Sequence, residues 1–448
     1  MKQKDLTKGP VFQTMFVYAL PMICGNILQQ GYNIADTWVV GNFIGTGALG
    51  AVGSSFALMT FLTSVLLGLC MGSGVVFSRC FGRKDAQGLK CSICASFVLT
   101  AAVSFVLTAG SLLLTDYIIT WMNIPDAVRD ITKDYLELIF WGIPAVALYN
   151  FFAAYLKSIG NSVVPLVFLG ISTVLNISLD ILFVVCLNRG TSGAAAATVI
   201  AQYISGIGIG FYVLMKRQEA AAAFLHFRIS KSSLGEIAGY SVLTCMQQSV
   251  MNLGILMVQG LVNSFGTDIM AAFVAAVKIE AFTYMPAQEY ANAFSTFTAQ
   301  NAGAGSRKRI REGIRCAFMT SAAYCLAASA VIWIFAERLM RLFVRADETA
   351  IIKEGVRYLH IVGPFYCGIG CLFLFYALYR AAGRPGMSVV LTAVSLGTRV
   401  GLSYMLAAVW TAGVCGIWWS IPIGWGLADL TGAVYYKKSG LAGEKGQL

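Results

Sequence analysis

Charged side chains are scarce in this sequence, and their scarcity excludes a water-soluble fold. Asp, Glu, Lys and Arg make up only 12% of the 448 residues, which is about half of the fraction usual in soluble domains. Hydrophobic residues make up 58%, and a soluble domain has no interior large enough to hide so much apolar surface. We therefore expect an integral membrane protein.

Histidine is rarer still, and this argues against metal sites and enzymes. The chain has only two histidines, His226 and His360, and its twelve cysteines are scattered, so they offer no zinc-binding cluster. Cys91 and Cys94 form a lone CxxC pair, which we interpret as small packing residues. A membrane-embedded enzyme would need clustered His or Asp motifs at a membrane surface. We expect neither a cofactor nor an enzymatic activity.

Long apolar runs recur from end to end of the chain. A hydrocarbon core of about 30 Å needs roughly 20 apolar residues per helix, and the stretch VVPLVFLGISTVLNISLDILFVVCL, which begins at Val163, has that length. It shows little of the alternation that a membrane β-strand requires. The predicted fold is all-α with twelve transmembrane helices. The predicted spans are 11–38, 48–77, 92–115, 134–156, 163–187, 193–215, 238–262, 270–299, 316–336, 358–379, 386–409 and 415–436.

The net charge of +11 is spread unevenly over the connecting segments. If residue 1 is cytoplasmic, most Lys and Arg fall on cytoplasmic segments, so the positive-inside rule predicts that both termini lie inside. This topology explains the basic cluster of Arg307, Lys308, Arg309 and Arg311 better than nucleic-acid binding does. We expect a multi-pass protein of the cytoplasmic (inner) membrane, with the lipid bilayer and no nucleic acid among its partners.

The chain reads as one fold written twice. A less apolar segment at about 216–236 separates a predicted N-lobe, residues 1–224 with helices 1–6, from a C-lobe, residues 225–448 with helices 7–12. Because each half has six spans, the lobes are expected to be related by a pseudo-two-fold axis normal to the bilayer. A shift of 221 residues pairs Asn42, Gly45, Thr46, Ala51, Phe61 and Gly82 with Asn263, Gly266, Thr267, Ala272, Phe282 and Gly303, and a shift of 223 pairs Gly160 with Gly383 and Gly193 with Gly416.

Duplicated lobes are typical of transporters, since two lobes can enclose a cavity and rock between inward-open and outward-open states. Small residues such as Gly68 and Gly72 would let helices approach closely. Pro21 is expected to bend the first span, because it removes the backbone hydrogen bond to the Val17 carbonyl.

Several segments together resemble the MATE family, the multidrug and toxic compound extrusion transporters, on the bacterial and archaeal branch related to DNA-damage-inducible exporters. The first span and its loop read LPMICGNILQQGYNIADTWVVGNFIGTGALGAVG, the fifth span reads ISTVLNISLDILFV, and the sixth opens GTSGAAAATVIAQ. Further similar segments are STFTAQNAGAG, GRP and GVCGIWWSIPIGW. The resemblance covers essentially the whole chain and implies a secondary exporter of varied, often cationic, organic compounds, driven by protons or sodium ions.

The resemblance also implies an ion-coupling site in the N-lobe, formed by Asp36, Asn176, Asp180 and Thr198. The residues point to the same place, because a carboxylate inside the bilayer costs at least about 2.5 kcal/mol and must be protonated, paired or solvated. Asn176 and Asp180 stack on one face of a helix. Such an oxygen cluster suits either Na⁺ or a shared proton, and the sequence does not choose between them. The alternative to an ion site is that Asp36 lies in water near the outer end of its span and that Asn176 only bonds a neighbouring helix.

The C-lobe lacks this set of oxygens. The positions that correspond to the four N-lobe residues are Met257, Arg399, Ser403 and Ile421. Arg399 would place a fixed positive charge there, with either a conformational role or a paired carboxylate. The family's other carboxylate arrangement pairs an acid in helix seven with an acid in helix ten. It has no match here, because residues 238–262 and 366–379 contain no Asp or Glu.

Substrate contacts are harder to predict from the sequence. Glu280 is the candidate for attracting a cationic substrate, with a structural ion pair as its alternative role. Flexible thioethers and aromatic faces accept varied cations, and the candidates are Tyr149, Phe152, Met251 and Met285. We expect a monomer that binds small organic molecules. The alternative is a related flippase for lipid-linked sugars, which would need several Arg in its cavity, whereas Arg399 is the one Arg inside a predicted span.

The topology can be tested by cysteine labelling in a background without the native cysteines. We expect both termini and the loop near residue 225 to be cytoplasmic, and the loops near Asn123 and Arg345 to be external. A membrane-impermeant thiol reagent added to intact cells should label the external positions. Labelling of Ser232→Cys from outside would contradict the topology.

Overall fold

A computed structural model describes residues 4–44, 46–122, 124, 126–345, 347–408 and 413–439. Gly45 and Asn123, which entered the sequence arguments above, lie outside these residues. The described residues are helical almost throughout and contain no strand. The prediction of an all-α fold is confirmed.

The first half of the chain contains nine helices among its described residues. They are α1 Val11–Phe43, α2 Thr46–Arg83, α3 Ala86–Leu113, α4 Thr115–Trp121, α5 Asp126–Phe140, α6 Ile143–Ser158, α7 Val163–Asp180, α8 Gly190–Lys216 and α9 Gln218–Leu225. A π-helical segment, Ile181–Cys186, follows α7 directly.

The second half contains seven helices among its described residues. They are α10 Lys231–Asn263, α11 Thr267–Gly303, α12 Arg307–Met340, α13 Thr349–Val362, α14 Tyr366–Ala381, α15 Pro385–Ala408 and α16 Gly413–Lys438. A short 3-10 turn, Gly363–Phe365, joins α13 to α14.

Eleven helical stretches of the described chain are long and apolar enough to cross a membrane. The twelfth predicted span corresponds to α16, which has 26 residues but carries Trp418, Trp419, Trp425 and Asp429. Predicted spans four and ten are each built from two helices, α5 with α6 and α13 with α14. Both breaks contain Gly and Pro, at Gly142 with Pro144 and at Gly363 with Pro364, where the missing proline N–H interrupts the helical hydrogen-bond ladder.

The backbone repeats between the halves in a way that side-chain identity shows only faintly. Left-handed residues, which are uncommon in proteins, recur as pairs at the same shifts of 221 and 223 residues. The pairs are Lys84 (φ 59°) with Gly305 (φ 69°), Gly160 (φ 83°) with Gly383 (φ 85°), and Gly190 (φ 58°) with Gly413 (φ 48°). The two halves therefore turn at equivalent places, as expected for a duplicated fold.

The described chain forms two compact units whose limits differ from the halves. Unit 1 comprises Leu20–Gln248 and the residues before Leu6, and unit 2 comprises Leu6–Ala19 and the residues from Ser249 onward. The beginning of α1 thus belongs to unit 2, and the beginning of α10 belongs to unit 1. The lobe boundary at residue 224, which was inferred from the repeat, stays a prediction.

Within unit 1, α2 and the first half of α10 touch backbone to backbone. An added Cβ at Gly68 would lie 2.5 Å from the Cys245 Cα, and one at Gly72 would lie 2.5 Å from the Ser241 Cα. A hydrogen bond also links the two helices where they cross, since the Ser241 Oγ donates to the Leu69 carbonyl at 2.9 Å. The packing role predicted for Gly68 and Gly72 is confirmed.

Gly72→Ala should destabilise the protein by about 1–3 kcal/mol, because the new methyl group meets main chain that has no room to move. The measurement is the thermal unfolding of the protein in detergent. Gly110→Ala on α3 is the matched control, since its Cβ would meet nothing within 4 Å and alanine favours the helix. Equal melting temperatures for the two variants would contradict the close crossing.

Candidate functional site

Two of the four predicted ion-coupling residues lie on the last turn and a half of α7. Asn176 and Asp180 are four residues apart and are 1% and 0% exposed, so their side chains stack on one buried face. The helix widens directly after Asp180, where the Leu187 N–H donates to the Leu182 carbonyl at 2.9 Å. Such π-helical turns are frequent at functional sites.

The other side of the site is built by α8 and α1. The Asn176 Nδ2 donates to the Thr198 Oγ1 at 3.1 Å, and the Tyr32 hydroxyl approaches the same oxygen at 3.5 Å. Thr198 is 8% exposed. The structure therefore brings Asn176, Asp180 and Thr198 together, and adds Tyr32 to them.

Three oxygens of this cluster are left unsatisfied. The Asn176 Oδ1 and both carboxylate oxygens of Asp180 are buried and have no hydrogen-bond partner among the described residues. Buried polar atoms normally have partners, and a carboxylate in a membrane span is costly unless it is neutralised. A hard cation such as Na⁺ accepts carboxylate and amide oxygens as ligands, and a proton on Asp180 would serve as a donor. The residues present fit either ion.

Asp36 approaches the site from α1, one turn after Tyr32. Its carboxyl group is half-buried and interacts electrostatically with Asp180. Tyr135 on α5 is 8% exposed and lies within electrostatic reach of Asp36 and Asp180. All four predicted residues thus belong to one neighbourhood in unit 1.

Tyr32 and Tyr135 were missed by the sequence analysis. A signal for Tyr135 existed, because the shift of 223 residues pairs Tyr135-Leu136 with Tyr358-Leu359. Tyr32 stands one helical turn before Asp36, a spacing that places both on one face of α1. Tyrosines in membrane helices are common, so this spacing alone could not have identified it.

Unit 2 has a different acid in the neighbourhood of its corresponding tyrosine. Glu280 on α11 is 6% exposed and accepts a 2.6 Å hydrogen bond from the Tyr358 hydroxyl. The Tyr358 ring meets the Trp418 ring edge-on at 4.9 Å, and Trp418 stacks on Phe273 at 5.3 Å. The carboxyl group is therefore enclosed by aromatic side chains.

The counterpart of the ion cluster is absent from the corresponding positions in unit 2. The Ser403 and Ser420 hydroxyls bond each other at 2.7 Å, and Met257 is 45% exposed. Arg399 interacts electrostatically with Glu280, while its buried Nε has no hydrogen-bond partner among the described residues. The charges of Glu280 and Arg399 thus offset each other.

A second Arg, Arg380, lies inside a span, so the prediction of Arg399 as the one Arg within the spans is wrong. The tenth span ends later than predicted, because α14 continues to Ala381 and includes Arg380. Arg380 is 4% exposed and its Nη2 donates to the Asn292 Oδ1 at 3.2 Å. The Asn292 Nδ2 in turn donates to the Glu289 Oε1 at 3.3 Å, so a carboxylate partly balances the buried guanidinium.

Asp429 is a further acid that the sequence analysis passed over. Its Oδ1 is buried on α16 without a hydrogen-bond partner among the described residues, in a helix rich in Trp and Gly. An Asp in this last predicted span was visible in the sequence, and the rule that intramembrane acids are costly applies to it equally.

The predicted substrate residues lie in different surroundings. The Tyr149 hydroxyl donates to the Pro165 carbonyl at 2.9 Å. Phe152 is 5% exposed and packs on Phe151 with ring centroids 5.1 Å apart. Met251 and Met285 are half-buried in unit 2. A substrate role for these residues stays a prediction.

Repeated membrane-spanning halves with buried acids inside the spans define a membrane transporter. A family model described as MatE matches residues 21–182 and again residues 242–405, one match in each half. The chain belongs to the MatE family, whose members are membrane transporters and not enzymes. The resemblance drawn from the sequence motifs is confirmed, and with it the fold of twelve transmembrane helices in two lobes.

Curated relatives are similar over nearly their full length. The chain is 28% identical to the "Probable multidrug resistance protein YpnP" of Bacillus subtilis, covering 98% of this chain and 97% of that protein. It is 23% identical to the "FAD transporter" of Shewanella oneidensis, with coverages of 93% and 92%. Its fold matches a structure described as the outward-facing conformation of a multidrug resistance MATE family transporter, with a TM-score of 0.93, 22% identity and 99% of both chains covered.

The asymmetry between the units can be tested by substitution. Asp180→Asn should abolish ion-driven transport, because it removes the charged ligand of the oxygen cluster. Ser403→Ala at the corresponding position should have little effect, since the Ser403 hydroxyl bonds a neutral group, the Ser420 hydroxyl. Met257→Asp should not create a second ion site, because Arg399 and Ile421 supply no matching oxygens. The measurement is transport in proteoliposomes, and equal losses in Asp180→Asn and Ser403→Ala would contradict the asymmetry.

Proposed function

We propose that this chain exports small, often cationic, organic compounds in exchange for protons or sodium ions. The observation that carries the proposal is the buried carboxyl group of Asp180, whose two oxygens have no hydrogen-bond partner among the described residues. A transporter needs a group whose charge changes when an ion binds. Asp180 supplies one at 0% exposure, where a change of charge has a large energetic effect.

The proposed coupling runs from the ion cluster to α1. Asp36 and Asp180 repel each other when both are ionised, and a bound proton or Na⁺ relieves this repulsion. Loading therefore favours the conformation of α1 that brings Asp36 and Asp180 closest. Pro21 lies inside α1 and weakens its hydrogen-bond ladder, so the helix can respond to the charge at Asp36 by bending. Ion and substrate would then act on the same equilibrium through their different affinities for its two states.

The substrate side of the proposal rests on charge and on relatives. Glu280 is the acid that we propose to attract cationic compounds, and its buried carboxyl group accepts a hydrogen bond from Tyr358. Met251, Met285, Tyr149 and Phe152 are the proposed substrate contacts, because thioethers and aromatic rings adapt to varied ligands. The relative from Bacillus subtilis bears the name of a multidrug resistance protein, which supports a broad substrate range.

A flippase for lipid-linked sugars is less well supported. Such a protein needs uncompensated cationic groups that bind a pyrophosphate. Arg399 is opposed by Glu280, and Arg380 is bonded to Asn292 next to Glu289. Both guanidinium groups are thus accompanied by acids.

The remaining assignments belong to the same proposal. Both termini would lie on the inner side of the cytoplasmic membrane, since most Lys and Arg then lie on cytoplasmic segments. The protein would also act as a monomer.

Asp36→Asn should mimic the ion-loaded state of the protein. The variant should still bind a fluorescent organic cation in detergent, because binding does not require a gradient. It should lose efflux driven by an imposed pH gradient or by a sodium gradient, each applied separately to proteoliposomes. Asp180→Asn added to Asp36→Asn should cause little further loss, since the two acids act as one unit.

The two gradients also distinguish the coupling ion. Efflux with a pH gradient alone identifies protons, and efflux with a sodium gradient alone identifies Na⁺. Wild-type efflux in Asp36→Asn, or fully additive losses in the double variant, would mean that these acids are structural. Glu280 would then be the next candidate for the coupling group.

A further inference from the structure

The segment that precedes α1 is held in unit 2 by side chains from α11 and α12. The Leu6 N–H donates to the Gln300 Oε1 at 3.2 Å, and the Leu6 carbonyl accepts from the Asn301 Nδ2 at 3.2 Å. Leu6 itself is 0% exposed. We call Gln300, Asn301 and Arg309 the N-terminal cradle.

Arg309 provides most of the contacts of the cradle. Its Nη1 donates to the Gly9 carbonyl at 2.6 Å and its Nη2 to the Lys8 carbonyl at 2.8 Å. Its Nε and Nη2 also reach the Leu6 carbonyl at 3.3 and 3.2 Å. Phe297 supports the guanidinium from below, with 5.5 Å between the ring centroid and the Cζ. Hydrogen bonds from a charged group are stronger than neutral ones, and the planar guanidinium presents several donors in a fixed geometry.

Contacts with unit 2 continue into the first turns of α1. The Thr14 Oγ1 donates to the Lys8 carbonyl at 3.2 Å, which links the held segment to the helix. Met15, Tyr18 and Ala19 are all at most 2% exposed and belong to unit 2. The N-terminal end of α1, its inner end in the predicted topology, is thus fixed by both polar and apolar contacts.

The rest of α1 belongs to unit 1, from Leu20 onward. This change of unit falls next to Pro21, where the helix has lost a backbone hydrogen bond. Asp36 lies on the unit 1 side of this position. One helix therefore has a fixed end, a weakened point and a charged ion-site residue, in that order.

The cradle is not a general requirement of the fold, because the repeat does not have it. The shift of 221 residues pairs Arg309 with Gly88, Asn301 with Cys80 and Gln300 with Arg79. The side chains at Gly88 and Cys80 cannot donate comparable hydrogen bonds to a backbone carbonyl, and Arg79 donates to the Tyr240 hydroxyl instead. A purely architectural contact would be expected in both halves.

We propose that Arg309 is a positioning residue for ion-coupled transport, which anchors the inner end of α1 so that charge changes at Asp36 bend the helix at Pro21. A helix that is free at one end would move as a rigid rod when Asp36 is attracted or released. A helix whose inner end is held must bend instead. The inference rests on the proposed function, because it assumes that ion binding at Asp36 drives transport.

The test compares Arg309→Ala with Lys308→Ala in the full-length protein. Lys308→Ala removes the same charge from the next position, which is exposed, and leaves the cradle intact. Hydrogen–deuterium exchange measured by mass spectrometry reports on residues 5–15. Exchange there should be about tenfold or more faster in Arg309→Ala, since charge-assisted hydrogen bonds are lost, and unchanged in Lys308→Ala. In the wild type, the protection should be the same with and without substrate and at both ends of the pH range used for transport, because an anchor stays in place.

Function is measured on the same variants as substrate affinity in detergent and gradient-driven efflux in proteoliposomes. Arg309→Ala should keep its affinity and lose efflux severalfold, whereas Arg309→Lys, which keeps the charge but not the fork, should lie between. A general structural defect would instead lower affinity and efflux together. Should Arg309→Ala fold poorly, deletion of residues 2–9 should give the same loss of coupling, and Arg309→Lys should then have no further effect in that background.

Wild-type efflux in Arg309→Ala despite faster exchange would overturn the inference, and so would protection that disappears when substrate or protons are added to the wild type. Failure of the proposed function looks different. In that case neither gradient drives efflux in the wild type, and the exchange measurements still decide whether Arg309 holds the segment.

Discussion

The cost of an unpaired charge in hydrocarbon determines where this chain places its polar groups. A carboxylate at the centre of a bilayer costs at least about 2.5 kcal/mol, so each acid in a span needs a neighbour that compensates it. Glu280 has the Tyr358 hydroxyl and the field of Arg399, and Glu289 has the amide of Asn292. Two acids differ among the described residues: Asp180 has both oxygens unsatisfied, and Asp429 has its Oδ1 unsatisfied. The proposed ion site at Asp180 rests on this missing compensation, which a mobile ion would supply.

The duplicated fold carries different polar groups at corresponding places in its two halves. Both halves retain equivalent left-handed turns, such as Gly160 and Gly383, and each has a buried tyrosine at the corresponding place, Tyr135 and Tyr358. The acids beside these tyrosines sit on different helices, α7 with α1 in unit 1 and α11 in unit 2. The backbone has therefore been kept while the charges have been rearranged. Under the proposed function, ion coupling through one half would leave the other free to diverge.

The sequence predicts most of the fold, because hydropathy needs only runs of apolar residues. It also predicts the buried polar cluster of Asn176, Asp180 and Thr198 on α7 and α8, since their spacing and their motif are local. Hydropathy misses the breaks within the fourth and tenth spans, because it does not distinguish Gly and Pro inside an otherwise apolar run. It also ends the tenth span too early, since α14 extends far enough to bury Arg380. Tyr32 and the Arg309 contacts depend on packing between segments distant in sequence, which no periodicity reports.

The π-helical segment after Asp180 makes the number of residues between Asp180 and α8 important for the geometry of the site. An α-helix advances by about 100° per residue, so each residue that a π-helical turn adds rotates everything that follows by about that angle. The Ile181–Cys186 segment therefore sets the direction in which the chain leaves α7 and the place where the turn before α8 begins. Insertion or deletion of a single residue in it would displace the start of α8, from which Thr198 reaches Asn176.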